Sequence, residues 1–210
     1  MIFICGCVLF IMNSKLAVKQ LKVLGKLTEG KEIRLAAEWD EPWQVLIATI
    51  LSAQTRDVKT IEICDVLFRK YSSVEKLARA RLSSIEKIIG SINYYKTKAR
   101  HIKESARIVA KEGIGESVDE LMRLPGVGRK VANVYLVQVH DAAAIGVDTH
   151  VARISFKLGW TGSKNPVVIE KDLEKLFPEK YWNSINYIVV RFGQTFGRSK
   201  RVEDGILKDL

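Results

Sequence analysis

Cysteine is scarce in this sequence. Cys5 and Cys7 sit close together and Cys64 stands far downstream. An odd set of three with such uneven spacing excludes a disulfide framework and predicts reduced thiols in a cytoplasmic protein. Histidine is equally sparse. His101, His140 and His150 are the whole supply, and no Cys/His cluster has zinc spacing, so no metal site is expected. The apolar opening, Met1 to Met12, is shorter than the ~20 residues a membrane-crossing helix needs. It also lacks the basic flank of a signal peptide, so no membrane association is expected. Met12 is followed by Asn13 and Ser14, a good helix-capping pair. Translation is therefore expected to begin at Met12, with residues 1–12 an extension outside the domains. Nor is there an excess of acid. Lys+Arg 34 against Asp+Glu 24 gives a net charge of +10 and a pI near 9.5. That balance excludes an acidic disordered chain and points to a polyanion partner, most often nucleic acid.

Strand-like alternation, internal repeats and low-complexity linkers are missing too. Helical periodicity broken by short polar turns is what the sequence does contain. Pro42 opens a helix through Trp43, Val45, Leu46, Ile47, Ile50 and Leu51, with Asp40 or Glu41 at its start. Ser72 and Ser73 read as caps of a following short helix and Ser83 as the cap of another. Ser117 with Glu120 forms a capping box ahead of Leu121 and Leu124. Pro166 and Pro178 mark two further starts. The predicted chain is all-α, with roughly ten helices of the usual ~11 residues.

The chemistry concentrates in Leu124-Pro125-Gly126-Val127-Gly128-Arg129-Lys130, which is followed by the apolar run Val131 to Val139. Pro125 stops the preceding helix by pushing Leu124 out of the α region. Gly126 and Gly128 permit positive φ and leave no Cβ in the way of an approaching ligand. A helix starting near Gly128 presents open N–H groups and the positive end of its dipole. Two helices joined this way form a helix-hairpin-helix, which grips a DNA phosphate through backbone amides without reading sequence. Lys130 stands at the mouth of a helix predicted to be buried, where partial desolvation favours the neutral, nucleophilic amine. Downstream, in Gly146-Val147-Asp148-Thr149-His150, Asp148 is a good N-cap for a helix through Ile154 and Leu158.

Leu124–Lys130 and Val147–His150 together resemble the signature of endonuclease III, within the helix-hairpin-helix glycosylase superfamily. Leu51-Ser52-Ala53-Gln54-Thr55-Arg56-Asp57, Asn93-Tyr94-Tyr95-Lys96-Thr97-Lys98-Ala99 and Val190-Arg191-Phe192-Gly193-Gln194 agree with it, so the likeness spans about residues 15–200. The resemblance implies a base excision repair DNA glycosylase with AP lyase activity. Such an enzyme removes damaged bases, here oxidised pyrimidines, and cuts the strand 3′ to the abasic site by β-elimination. Lys130 matches the nucleophile. Asp148 matches the carboxylate that helps deprotonate it and stabilises positive charge on the sugar. Gln54 matches the residue filling the gap left by a flipped base, and Tyr94 stands where the family has its wedge. Gly126, Val127, Gly128, Arg129 and His150 complete the expected DNA contacts. The implied fold has a six-helix barrel over 32–142, carrying the hairpin at about 115–139. A smaller helical domain would combine 13–31 with 143–210, and the two would flank a DNA-binding cleft. The expected partner is double-stranded DNA with damaged bases or abasic sites, bound by a monomer and, in a prokaryote, associated with the nucleoid.

The sequence departs from that family in one place. Most members carry a [4Fe–4S] cluster on four cysteines just after the Phe-Gly-Gln segment. Residues 195–210 here contain none, and no cofactor is expected. Thr49 stands where adenine-specific relatives place a glutamate, and mismatch-specific relatives replace the lysine. Lys130 therefore favours the bifunctional branch over two alternatives: a mismatch-specific glycosylase, or a non-catalytic helix-hairpin-helix DNA-binding protein.

Overall fold

The computed structural model describes residues 12–210, so the expected extension, Met12 apart, lies outside them. The described residues form twelve α-helices and no strand. Backbone contacts divide the chain into two units, Glu32–Gly146 and a second made of the chain up to Lys31 together with Val147–Leu210.

The Glu32–Gly146 unit contains α2 (Pro42–Ser52), α3 (Asp57–Lys70), α4 (Val74–Arg79), α5 (Leu82–Ile89), α6 (Tyr95–Glu112), α7 (Val118–Leu121) and α8 (Arg129–His140). Of the nine α2 side chains from Trp43 to Leu51 all but Gln44 are buried, as befits a helix apolar on nearly every face. The neighbours are amphipathic. On α6, Ala99, Ile102, Ala106 and Val109 recur at helical spacing and face the core, while the remaining surface is basic. Trp39 and Trp43 both meet Phe68 edge to face, at centroid distances of 4.8 and 5.0 Å, which closes one end of the core.

Local signals mostly act as their chemistry dictates. Pro42 opens α2, although the Glu41 side chain makes no cap bond; the fixed φ of proline suffices to start the helix. Ser73 accepts from the Lys76 amide and caps α4, whereas Ser72 accepts from Lys76 Nζ instead. The Ser117–Glu120 capping box is complete. Ser83 is not a cap: α5 begins one residue earlier at Leu82, which leaves Ser83 in the first turn. The strip 143–146 differs from expectation in belonging to this unit. Its anchor is a buried bond in which Asn133 Nδ2 donates to the Ile145 carbonyl at 2.9 Å, with Ile145 itself fully buried.

The second unit holds α1 (Ser14–Thr28), α9 (Thr149–Lys157), α10 (Pro166–Leu176), α11 (Trp182–Phe196) and α12 (Lys200–Lys208). Asn13 caps α1 by accepting from the Leu16 amide. Ala17, Leu21 and Leu24 form the buried stripe of α1, which packs along α11. Polar bonds from two residues, Trp160 and Arg191, fasten the early segment to the late one. The Trp160 indole donates to Gln20 Oε1 at 2.6 Å, and Arg191 Nη2 donates to the Lys31 carbonyl at 2.7 Å. A separate 3₁₀ turn, Glu179–Tyr181, follows Pro178 and leads into α11.

Candidate active site and nucleic-acid interface

The hairpin turn is built from the backbone outward. The Ser105 hydroxyl on α6 donates to the Pro125 carbonyl at 2.8 Å, tying the turn to the unit's core. Gly126 adopts φ +83°, and a Cβ there would come within 2.9 Å of His101 Nδ1 and 3.1 Å of Ile50. Conformation and close approach both require glycine. Val127 is buried and pins the middle of the turn. Gly128 differs from the expectation of positive φ: it is an extended N-cap with φ −98°, and a Cβ added to it meets nothing within 4 Å. There is thus room beside the Gly128 Cα at the start of α8, and a helix N-terminus is a setting that suits an anion. Arg129 is exposed, and Lys130, the second residue of α8, is half-buried. The six residues that follow, Val131 to Leu136, are all buried.

Gln54 and Tyr94, far apart in sequence, belong to neighbouring turns of the same unit. Asn93 Nδ2 donates to the Gln54 carbonyl at 3.2 Å. Both residues adopt the left-handed region, Gln54 at φ 54° and Tyr94 at φ 57°, which costs a side-chain-bearing residue of order 1 kcal/mol or more. Both are exposed, Tyr94 to 67%. Tyr95 instead turns inward against the core. Helix packing thus accounts for Tyr95 and not for Tyr94.

Lys98 was not singled out by sequence reasoning, although it lies within the Asn93–Ala99 segment. It is buried, and its Nζ donates to the Leu51 carbonyl at 2.8 Å, the Ala53 carbonyl at 2.5 Å and the Thr55 hydroxyl at 2.9 Å. The ammonium closes the C-terminal end of α2, where carbonyls lack helix partners, and so fixes the turn that carries Gln54. Burial lowers its pKa to about 8. The available signal was a lysine at the helical register of Ala99 and Ile102.

In the other unit Asp148 caps α9, accepting from the Val151 amide at 2.8 Å. Two residues on, His150 packs so closely on α11 that a Cβ at Gly193 would overlap its ring. Arg153 Nη2 lies 3.4 Å from His150 Nδ1. A guanidinium only donates, so Nδ1 is the acceptor. The structure thus groups Gln54 with Tyr94, the turn Gly126–Lys130 in itself, and Asp148 with His150.

Comparison with known proteins decides the family. The profile described as HhH-GPD superfamily base excision DNA repair protein matches residues 47–179. The chain belongs to that superfamily. It is 41% identical to endonuclease III of Thermotoga maritima over 157 residues, covering 73% of this chain and 74% of that one. It is 37% identical to endonuclease III of Synechocystis over 182 residues, covering 85% and 82%. Among solved structures, it matches a trapped endonuclease III–DNA covalent intermediate with a TM-score of 0.82 at 30% identity, over 90% of each chain. A non-covalent endonuclease III–DNA complex matches equally well. A thermostable thymine-DNA glycosylase shares the fold at 20% identity and a TM-score of 0.77.

Proposed function

We propose that this protein is a base excision repair DNA glycosylase with AP lyase activity, in which Lys130 is the nucleophile. The half-buried amine one residue inside α8, behind an open hairpin turn, carries the reading. Likeness to endonuclease III over most of the chain supports it. The substrate is double-stranded DNA containing damaged bases, with oxidised pyrimidines the expected class, or abasic sites. The enzyme works as a monomer associated with the nucleoid of a prokaryote.

In this mechanism the Gly126–Arg129 backbone holds a phosphate, and Gln54 and Tyr94 occupy the space a displaced nucleotide leaves. Asp148 accepts a proton from the Lys130 ammonium. The freed amine attacks C1′, the glycosidic bond breaks and the base departs with its electron pair. The carboxylate also stabilises the positive charge that builds on the sugar. Loss of a proton and ring opening give an imine between Lys130 Nζ and C1′. β-Elimination then gives up the C2′ proton to water, forms a C2′–C3′ double bond and breaks the C3′–O bond, the phosphate leaving with its electron pair; hydrolysis of the imine releases the enzyme. His150 contributes to the DNA contact.

Borohydride reduction tests this directly. Enzyme turning over an oxidised-pyrimidine duplex should run joined to the damaged strand, because the imine is reduced to a stable amine. Lys130→Gln should lose trapping, excision and strand cleavage while retaining lesion binding. Undiminished trapping by Lys130→Gln would move the nucleophile to another amine. No trapping by the parent chain would leave a DNA-binding module without chemistry.

A further inference from the structure

The endonuclease III resemblance implies an iron–sulfur cluster after the Phe192-Gly193-Gln194 segment, and the residues present do not fit one. Residues 195–210 contain no thiolate. The stretch folds instead as α12, and a carboxylate on that helix does something unusual. Glu203 is only 2% exposed, yet it is fully paired. Arg153 Nε and Nη2 donate to its two oxygens at 3.1 and 2.6 Å, and Lys157 Nζ also reaches Oε1. Lys157 further pairs with Asp204 at 2.7 Å. Both cations come from α9, one turn apart, so a single helix supplies the whole counter-charge. Burial alone would raise the Glu203 carboxyl. Hydrogen bonds and charge from Arg153 and Lys157 outweigh that and hold it below the usual carboxylate range. Gly197, just past the end of α11, lies against the clasp: a Cβ there would meet the Gly193 carbonyl at 2.3 Å and also crowd Glu203 Oε2 at 2.9 Å and Arg153 Nη2 at 3.0 Å.

The clasp continues toward the proposed site. Arg153, while holding Glu203, also faces His150 Nδ1, and His150 is wedged against Gly193. The first turn of α9, with Asp148 as its cap, is therefore bounded by α11 and tied through Arg153 to α12. We propose that Glu203 is a positioning residue for this end of α9, its ionic clasp fastening the C-terminal helix where the family fastens its chain with metal-bound thiolates. The positioning role in excision rests on the function proposed above; the clasp itself does not.

Glu203→Gln in the full chain is the test, read two ways at a temperature below its melting transition. The single-turnover excision rate should fall about tenfold, with lesion-duplex affinity unchanged. The Val151 amide, which donates to Asp148, should exchange with solvent about tenfold faster. A purely structural role would lower the melting temperature and move neither readout in the folded protein. Arg153→Gln/Glu203→Gln removes both charges and strands neither. It carries the same measurements should the single variant fail to fold, and its rate loss should match, not multiply, those of the single variants. A folded Glu203→Gln, or the double variant in its place, with parental excision and parental Val151 protection overturns the inference. Parental excision that is absent from the start would overturn the function instead, and Val151 exchange would still decide the clasp.

Discussion

The two units fasten their functional segments by different means. In Glu32–Gly146 the holding elements are backbone: a left-handed glycine turn, two left-handed residues at Gln54 and Tyr94, and carbonyls gathered on the Lys98 ammonium. In the unit formed by the two ends of the chain they are side-chain charges, with Glu203 gripped by Arg153 and Lys157, and Asp148 capping α9. The carbonyl acceptors do not titrate and the Lys98 ammonium they hold changes only in alkali, whereas a carboxylate clasp weakens as acid neutralises it. A protein with both devices should therefore fail differently in its two units when pH or a single charge is changed.

The largest effect is expected at the clasp. Glu203→Gln leaves two cations facing a neutral amide at a buried position, and breaking a buried pair costs about 3 kcal/mol or more. Arg153 and Lys157 retain some exposure, so the low end applies. For a chain of this size the melting temperature should drop by roughly 6–12 °C. The sign with pH follows from the lowered Glu203 pKa. A carboxyl depressed in the folded state stabilises above its unfolded value, near 4.5, and loses that contribution as pH falls through the lower native value. The melting gap between parent and variant should be full at pH 6 and close as the solution is acidified below 4.5. A gap that stayed constant with pH would mean the Glu203 charge is not what holds α12.

Lys98→Met comes next and probes the backbone device. The buried Leu51 carbonyl loses its donor, while water can reach Ala53 and Thr55. One orphaned buried acceptor costs about 1–3 kcal/mol. Excision should suffer more than stability, because the turn carrying Gln54 loses its tie. Here pH acts at the opposite end of the scale. Burial lowers the Lys98 pKa from 10.5 to about 8, so between those values the unfolded chain binds the extra proton. Stability from this group rises as pH climbs through that window. Parental stability relative to Lys98→Met should therefore grow from pH 8 to 10 and be indifferent to acid, the reverse of the Glu203 pair. Denaturant titrations of both pairs across pH check this.

This division also marks what the sequence made legible. Periodicity, prolines and caps gave the helices, because those signals act within a few residues. The missed cap at Ser83, with the N-cap at Arg81 instead, shows their precision, about two residues. Leu124–Lys130 and Asp148 were legible since turn chemistry and capping are local. Lys98 and Glu203 were not. What makes each special is a set of partners 43–50 residues away in the chain, and even where helical register hints at burial, as for Lys98, nothing local names those partners. Gly193 and Gly197 were silent for the same reason, since the rings and charges they accommodate arrive from other helices.

The smallest effect on stability, with a separate effect on DNA affinity, is expected at Gly128. Its neighbour Gly126 provides the contrast: φ +83° and a near contact with His101 mean that Gly126→Ala strains backbone and packing together, at a cost of about 1–3 kcal/mol. Gly128 has φ −98°, which alanine adopts without strain, and open space where the methyl would go. Gly128→Ala should therefore leave unfolding within about 0.5 kcal/mol of the parent. The methyl would stand at the start of α8, where a phosphate oxygen must come within about 3 Å of a backbone N–H to bond. Affinity for undamaged duplex should fall several-fold, with the slope of log affinity against log salt reduced by about one phosphate contact, near 0.9. If Gly128→Ala bound duplex DNA like the parent, the α8 N-terminus would not be the phosphate grip. The backbone device of this unit would then serve only to hold Lys130 in place.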